Sequence, residues 1–88
     1  MQLCKQVKNS MKKEFDILID VRNEEAPLPM IKVDIVTQIL EAGDILKVVL
    51  NSQSNYENIK KMISKKNAFS MVDQKVSHKD FILYITKC

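Results

Sequence analysis

Histidine, tryptophan and cysteine are scarce in this chain of 88 residues, which has one histidine, two cysteines and no tryptophan. The cysteines, Cys4 and Cys88, have no CxxC spacing and no histidine nearby, so we expect neither a metal site nor a thioredoxin-like motif. A disulfide between them is disfavoured in a reducing compartment, and a redox pair of the two ends is the alternative reading.

Arginine is equally rare, since Arg22 is the single arginine among the fourteen lysine and arginine residues. The forked guanidinium of arginine is the usual tool for reading a base edge, so this composition argues against base-specific recognition of nucleic acid. The net charge of +3 favours acidic partners only slightly.

Long apolar runs are missing too. The longest, such as residues 81–85, are far shorter than the roughly 20 residues of a membrane-spanning helix, and no apolar stretch follows the lysine-rich start. We therefore expect no membrane contact and a cytoplasmic location. The length suits one domain with one core and no separate cofactor domain, so no cofactor is expected.

Two segments differ in character. Residues 1–14 form a basic extension in which Leu3, Val7 and Met11 recur at i, i+4 and i+8, which fits either a short helix or a frayed tail, and we assign no site to it. Residues 15–88 form the domain, since 45% of the chain is apolar and 28% charged, as in a folded protein.

The domain begins with a strand over residues 15–21, whose apolar and polar residues alternate. A helix is predicted from Pro27 and Pro29 to Gly43, with an inward stripe of Val36, Ile39 and Leu40 and with Ile35 and Val33 beside that stripe. A nearly continuous apolar strand follows over residues 44–50.

A second helix is predicted from the spacing of Ser54 and Glu57, which fits a capping box, to Asn67 as a left-handed terminal residue. Its inward side should hold Tyr56, Ile59 and Ile63. Residues 69–76 and 80–86 then predict a hairpin.

This order predicts an α/β two-layer sandwich of βαβαββ order, with a four-stranded mixed sheet and two helices on one face. Strands one to three should be parallel and the last antiparallel to them. The first strand should lie at an edge and the last inside the sheet. Cys88 should then lie at the end of the sheet opposite the prolines.

The stretch from Asp20 to Pro29 resembles the motif of the TusA/SirA-like family of small sulfur-carrier proteins, in which Asp-x-Arg-Gly-x-x-Cys-Pro-x-Pro links the first strand to the first helix. Asp20, Arg22, Pro27 and Pro29 match that motif, and the element order agrees over residues 15–88. The resemblance implies a fold like the C-terminal domain of bacterial translation initiation factor three. It also implies contacts with cysteine desulfurases and with sulfur-acceptor proteins such as those of tRNA thiolation.

The sequence departs from the family motif at its reactive position, where Ala26 replaces the persulfide-carrying cysteine, by natural loss or by an engineered change. The unpaired amides and the dipole of a helix start lower the pKa of a cysteine, but alanine has nothing to ionise. Asn23 and Glu24 replace a glycine and a leucine of the motif. No catalytic residue is therefore predicted in the sequence as given.

Three functions follow from these residues. The first is a sulfur-relay scaffold without its nucleophile, and the second is a non-catalytic regulatory or interaction module with Glu24, Glu25 and Leu28 on its partner surface. Negative charge at the two glutamates would repel an anionic persulfide. The third is RNA binding, for which four lysines of the second helix would form the contact face: Lys60, Lys61, Lys65 and Lys66. His78 is interpreted as a solvated turn residue.

Overall fold

The computed structural model describes residues 14–88 and confirms the predicted order of elements. The predicted stripe of residues 3, 7 and 11 and Cys4 lie outside the described residues. The six elements are β1 (Ile17–Asp20), α1 (Leu28–Thr37), β2 (Ile45–Leu50), α2 (Gln53–Ser64), β3 (Phe69–Lys75) and β4 (Phe81–Lys87).

The four strands form one sheet in the order β1-β2-β4-β3. β1 is parallel to β2, and β4 is antiparallel to both of its neighbours, so β1, β2 and β3 run in the same direction. This confirms the predicted edge position of β1 and the interior position of β4. The fold is the predicted two-layer α/β sandwich.

Cys88 lies at the end of the sheet opposite the prolines, as predicted. The amide of Lys87 donates to the carbonyl of Asp44, at the start of β2, and the amide of Cys88 donates to the carbonyl of Ala68. The expectation that a disulfide is disfavoured was wrong for Cys88, which is disulfide-bonded in the structure.

One face of the sheet and both helices enclose the core. Alternate residues of a strand point to the same face. The register places Leu46 opposite Ile85 and Val48 opposite Leu83, so these four side chains share the face that is covered by the helices. Val33 of α1 and Ile59 and Ile63 of α2 pack against that face. The buried core consists of Val21, Val33, Leu40, Leu46, Val48, Leu50, Ile59, Ile63, Phe81, Leu83 and Ile85.

Helix α1 ends earlier than predicted, at Thr37 instead of next to Gly43. The amides of Gln38 and Ile39 donate to carbonyls three residues back, which tightens the last turn, and the hydroxyl of Thr37 donates to the carbonyl of Asp34. Gly43, with φ of 92°, lies in the turn before β2.

The predicted inward stripe of α1 was partly wrong. Leu40 and Val33 are buried and Val36 is partly buried, but Ile35 and Ile39 are exposed. The side of α1 that faces the core consists of Pro29, Val33 and Thr37, which recur every four residues.

Helix α2 begins at Gln53, one residue before Ser54 of the predicted capping box. Its N-cap is Ser52, whose hydroxyl accepts a hydrogen bond of 3.2 Å from the amide of Asn55. Ile59 and Ile63 are fully buried, as predicted. Asn67 is not left-handed, because the only non-glycine residue with positive φ in residues 14–88 is Asn23.

Candidate functional site

The segment between β1 and α1, residues 21–27, is named the motif loop. It leaves the sheet at Val21, which is buried and donates its amide to the carbonyl of Val49 at 2.9 Å. The carboxylate of Asp20 then accepts three hydrogen bonds from Arg22, from its amide at 3.1 Å, its Nε at 3.0 Å and its Nη2 at 2.7 Å. The structure thus brings these two predicted motif residues together.

This forked pairing sets the charge state of both groups. Hydrogen bonds from Arg22 lower the pKa of the Asp20 carboxyl, and those to Asp20 raise the pKa of the Arg22 guanidinium. Because Arg22 already donates to Asp20 through Nε and Nη2, its remaining donors are those on Nη1 and the second hydrogen on Nη2. An incoming anion therefore meets a guanidinium already neutralised by its own chain.

An amide pair fixes the centre of the loop. Asn23 has φ of 66°, a left-handed conformation that asparagine tolerates better than most residues. Its amide donates to Oδ1 of Asn51 at 2.8 Å, and Nδ2 of Asn51 donates to Oδ1 of Asn23 at 2.8 Å. The two residues are 28 positions apart, so the loop is anchored to the end of β2.

Glu24 faces the protein more than the solvent. Its Oε2 accepts a hydrogen bond of 2.7 Å from Nζ of Lys32, and its carbonyl accepts one of 3.0 Å from Nδ2 of the buried Asn55. Within residues 14–88, its Oε1 is buried without a hydrogen-bond partner. Among the predicted partner-surface residues, only Glu25 and Leu28 are exposed.

Ala26 is exposed at the start of α1, and the peptide bond between Ala26 and Pro27 is cis. Pro27 is the N-cap and Pro29 lies in the first turn, so neither position offers an N–H. The amide of Leu28 donates to the carbonyl of Glu25 at 3.0 Å. In the first turn, the backbone amide of Met30 is therefore the group that remains to donate to an anion, and the helix dipole adds a partial positive charge there.

No group of three or more histidine, cysteine or acidic side chains that could hold a metal occurs in residues 14–88. His78 lies in the exposed turn between β3 and β4, at the same end of the sheet as the motif loop. The loop is thus a rigid, exposed protein surface around a methyl group.

The four predicted nucleic-acid contacts do not share one face. Lys60 points toward β3, where its Nζ lies 2.9 Å from Oδ2 of Asp73 and 4.9 Å from the ring centre of Tyr56. Hydrogen bonds from Tyr56 and Lys60 lower the pKa of the Asp73 carboxyl. The remaining three lysines line an open groove of about 490 Å³ between the helices, together with Met30, Asn58 and Met62.

The outward side of α1 carries a feature that the sequence interpretation missed. Leu28, Ile31 and Ile35 of α1 are 45%, 48% and 57% exposed, and Ile39, two residues past the end of the helix, is 67% exposed. Together these four residues are named the outer face of α1. The available signal was that the apolar residues of this helix are not confined to one side, which is unusual for a surface helix.

The fold and the motif loop define a two-layer βαβαββ domain with an ordered, exposed turn between its first strand and first helix. The family model described as "Sulfurtransferase TusA" matches residues 17–87, so the chain belongs to this family.

The solved structure of a SirA-like protein from Desulfitobacterium hafniense is similar to the chain, with a TM-score of 0.71. The sequences are 19% identical, and the match covers 81% of this chain and 96% of that one, which shows a shared fold. No curated protein matches the chain. Neither helix within residues 14–88 is long and apolar enough to cross a membrane.

Proposed function

We propose that this chain is a sulfur-relay protein of the TusA family that lacks the persulfide-carrying cysteine and acts through contacts with other proteins. The observation that carries the proposal is Ala26, an exposed methyl group in a loop that is held by hydrogen bonds on its other residues. An alanine cannot form a persulfide, so transfer chemistry at this position is excluded.

The hydrogen bonds that hold the motif loop support a docking role. The Asp20–Arg22 fork and the Asn23–Asn51 pair hold it from both sides. Ordering a loop costs conformational entropy, and a rigid loop loses less of it when a partner binds. The motif loop is therefore suited to recognition even without a thiol.

The partner is proposed to be a cysteine desulfurase or a sulfur-acceptor protein, by membership of the family. Residues 15–88 would be the complete docking unit, working in the cytoplasm. Glu24 contributes little charge to that surface because Lys32 neutralises it, which leaves Glu25 as the exposed carboxylate beside Ala26.

Binding of the full chain to a cysteine desulfurase that loads a TusA-family carrier tests the proposal. We expect calorimetry to show binding that survives reduction and alkylation of the cysteines, because no thiol takes part. Leu28→Asp should weaken it, whereas Leu18→Asp is the matched control, since Leu18 is 50% exposed on the outward face of edge strand β1. Absence of binding, loss on alkylation, or equal loss in both variants would contradict the docking role.

RNA binding is the second candidate, favoured by the three lysines in the groove between the helices, Lys61, Lys65 and Lys66. Lys66 is paired with Asp34 at 3.0 Å, which reduces the charge available to phosphates. RNA contact would give an affinity that falls steeply with salt and is lost in the double variant Lys61→Glu and Lys65→Glu. Affinity for single-stranded RNA that is independent of salt would reject this candidate.

A further inference from the structure

The outer face of α1 is apolar where a surface helix of an isolated domain is normally polar. Its three aliphatic side chains within the helix lie on the side opposite Val33 and Thr37, which face the core. Helix α2 provides an internal comparison, because its exposed residues Glu57, Asn58 and Lys61 are polar. A contiguous exposed apolar patch of this kind marks an interaction surface.

The outer face continues directly into the motif loop, since Leu28 follows Pro27. Within the helix its residues 28, 31 and 35 follow the i, i+3 and i+7 pattern of a surface that receives another helix, and Ile39 follows in the turn after α1. A helix lying along it would extend to Ala26.

The charges around the outer face indicate which charges a partner should carry. Along its sides, Lys32 is paired with Glu24 at 2.7 Å and Asp34 with Lys66 at 3.0 Å. At its two ends, Glu25 and Glu41 are exposed, and neither forms an ion pair within the described part of the chain. The uncompensated charge is thus negative and located at both ends.

A second copy of the chain would fit these ends poorly. Antiparallel pairing of two α1 helices would place Leu28 against Ile39 and bring Glu25 close to Glu41 of the other copy, twice in a symmetric dimer. Like charges at an interface oppose association. A helix with basic residues at both ends has no such penalty.

We propose that the outer face of α1 binds an amphipathic helix of another protein, one that carries an aliphatic stripe with lysine or arginine at each end. This rests on the proposed function, because it gives the chemistry of the protein partner invoked there. The aliphatic side chains supply burial, and the two glutamates discriminate between partners by the sign of the charge at the ends of their helices.

Two synthetic helical peptides of about five turns test the proposal. Both carry the same leucine stripe, and they differ only in having lysine or glutamate at the two ends. Fluorescence anisotropy with the full chain should show binding of the lysine peptide and at least about tenfold weaker binding of the glutamate peptide, a difference of about 1.4 kcal/mol.

Three variants of the chain test the residues. Ile35→Ser should weaken binding of the lysine peptide by at least about tenfold, whereas Val72→Ser should not, since Val72 is 65% exposed on β3, away from the outer face. Reversing the ends with Glu25→Lys and Glu41→Lys should reverse the preference between the two peptides. Circular dichroism checks that each variant is folded.

Equal binding of the two peptides, or no binding, would overturn the proposal. So would self-association of the chain that Ile35→Ser abolishes, because a second copy would then be the occupant. If the peptides fail while desulfurase binding still depends on Leu28, the helix proposal falls and the proposed function stands. If the lysine peptide binds but the desulfurase does not, the proposed function falls alone.

Discussion

Truncation of Val33 and of Ile35, two residues apart on α1, should change the free energy of unfolding to very different extents. Val33 is completely buried in the core, so Val33→Ala removes two methyl groups and leaves a cavity, which costs about 2 to 3 kcal/mol of unfolding free energy. Ile35 is 57% exposed, so Ile35→Ala changes that free energy by less than about 0.5 kcal/mol. Alanine also has the higher helix propensity, which offsets part of the lost contact.

Urea unfolding followed by far-ultraviolet circular dichroism measures both effects. With a dependence of about 1 kcal/mol per molar urea for a small domain, Val33→Ala should lower the midpoint by roughly 2 M, and Ile35→Ala should leave it within about 0.5 M. Equal losses in the two variants would refute the reasoning, because the outer face of α1 would then be packed against something in solution.

Two further perturbations test the motif loop and the contacts of Asp73 with Tyr56 and Lys60. Asn51→Ala removes both hydrogen bonds to Asn23 and should lower the unfolding free energy by about 1 to 2 kcal/mol in the urea assay, and an unchanged midpoint would contradict the anchoring role. The pKa of the Asp73 carboxyl is lowered by Tyr56 and Lys60, so the stability it adds is present above its unfolded pKa and lost as pH falls through its folded pKa. Asp73→Asn should therefore flatten the decline of the thermal midpoint below about pH 4 in calorimetry, whereas a decline as steep as that of the unmodified chain would contradict the pairing.

Most of the fold could be predicted because strand patterns depend on which faces are covered. Alternation in β1 indicated an edge strand with one covered face, and the apolar run in β4 indicated an interior strand. The handedness of parallel crossovers then placed both helices on one side. These rules rest on local pattern and on chain geometry, both of which are visible in the sequence.

The errors are concentrated in α1, where periodicity carries little information. Because the apolar residues of this helix are not confined to one side, their spacing does not show which side is buried, and the prediction that Ile39 faces the core with Ile35 beside it is wrong. Glycine is a preferred residue just past a helix end, which predicts a helix that ends at Gly43, but the last turn tightens at Gln38 through hydrogen bonds that no residue pattern predicts.

The motif loop was located correctly, but the contacts that shape it were not predictable. Asn23 and Asn51 are 28 residues apart, and their pairing depends on the loop and the end of β2 meeting in space. The separation of Lys60 from the other lysines of α2 likewise depends on Asp73 of β3, which helical spacing alone does not reveal.

The most direct test of the account is whether restoring a thiol restores sulfur loading. Ala26→Cys is compared with Ala42→Cys, which places a cysteine at an exposed position beyond the other end of α1. Each variant and the unmodified chain are incubated with a cysteine desulfurase and cysteine, and peptide mass spectrometry locates any added sulfur. The account predicts one added sulfur atom at position 26 and none at position 42. Loading at neither position, equal loading at both, or loading of Cys4 or Cys88 in the unmodified chain would contradict it.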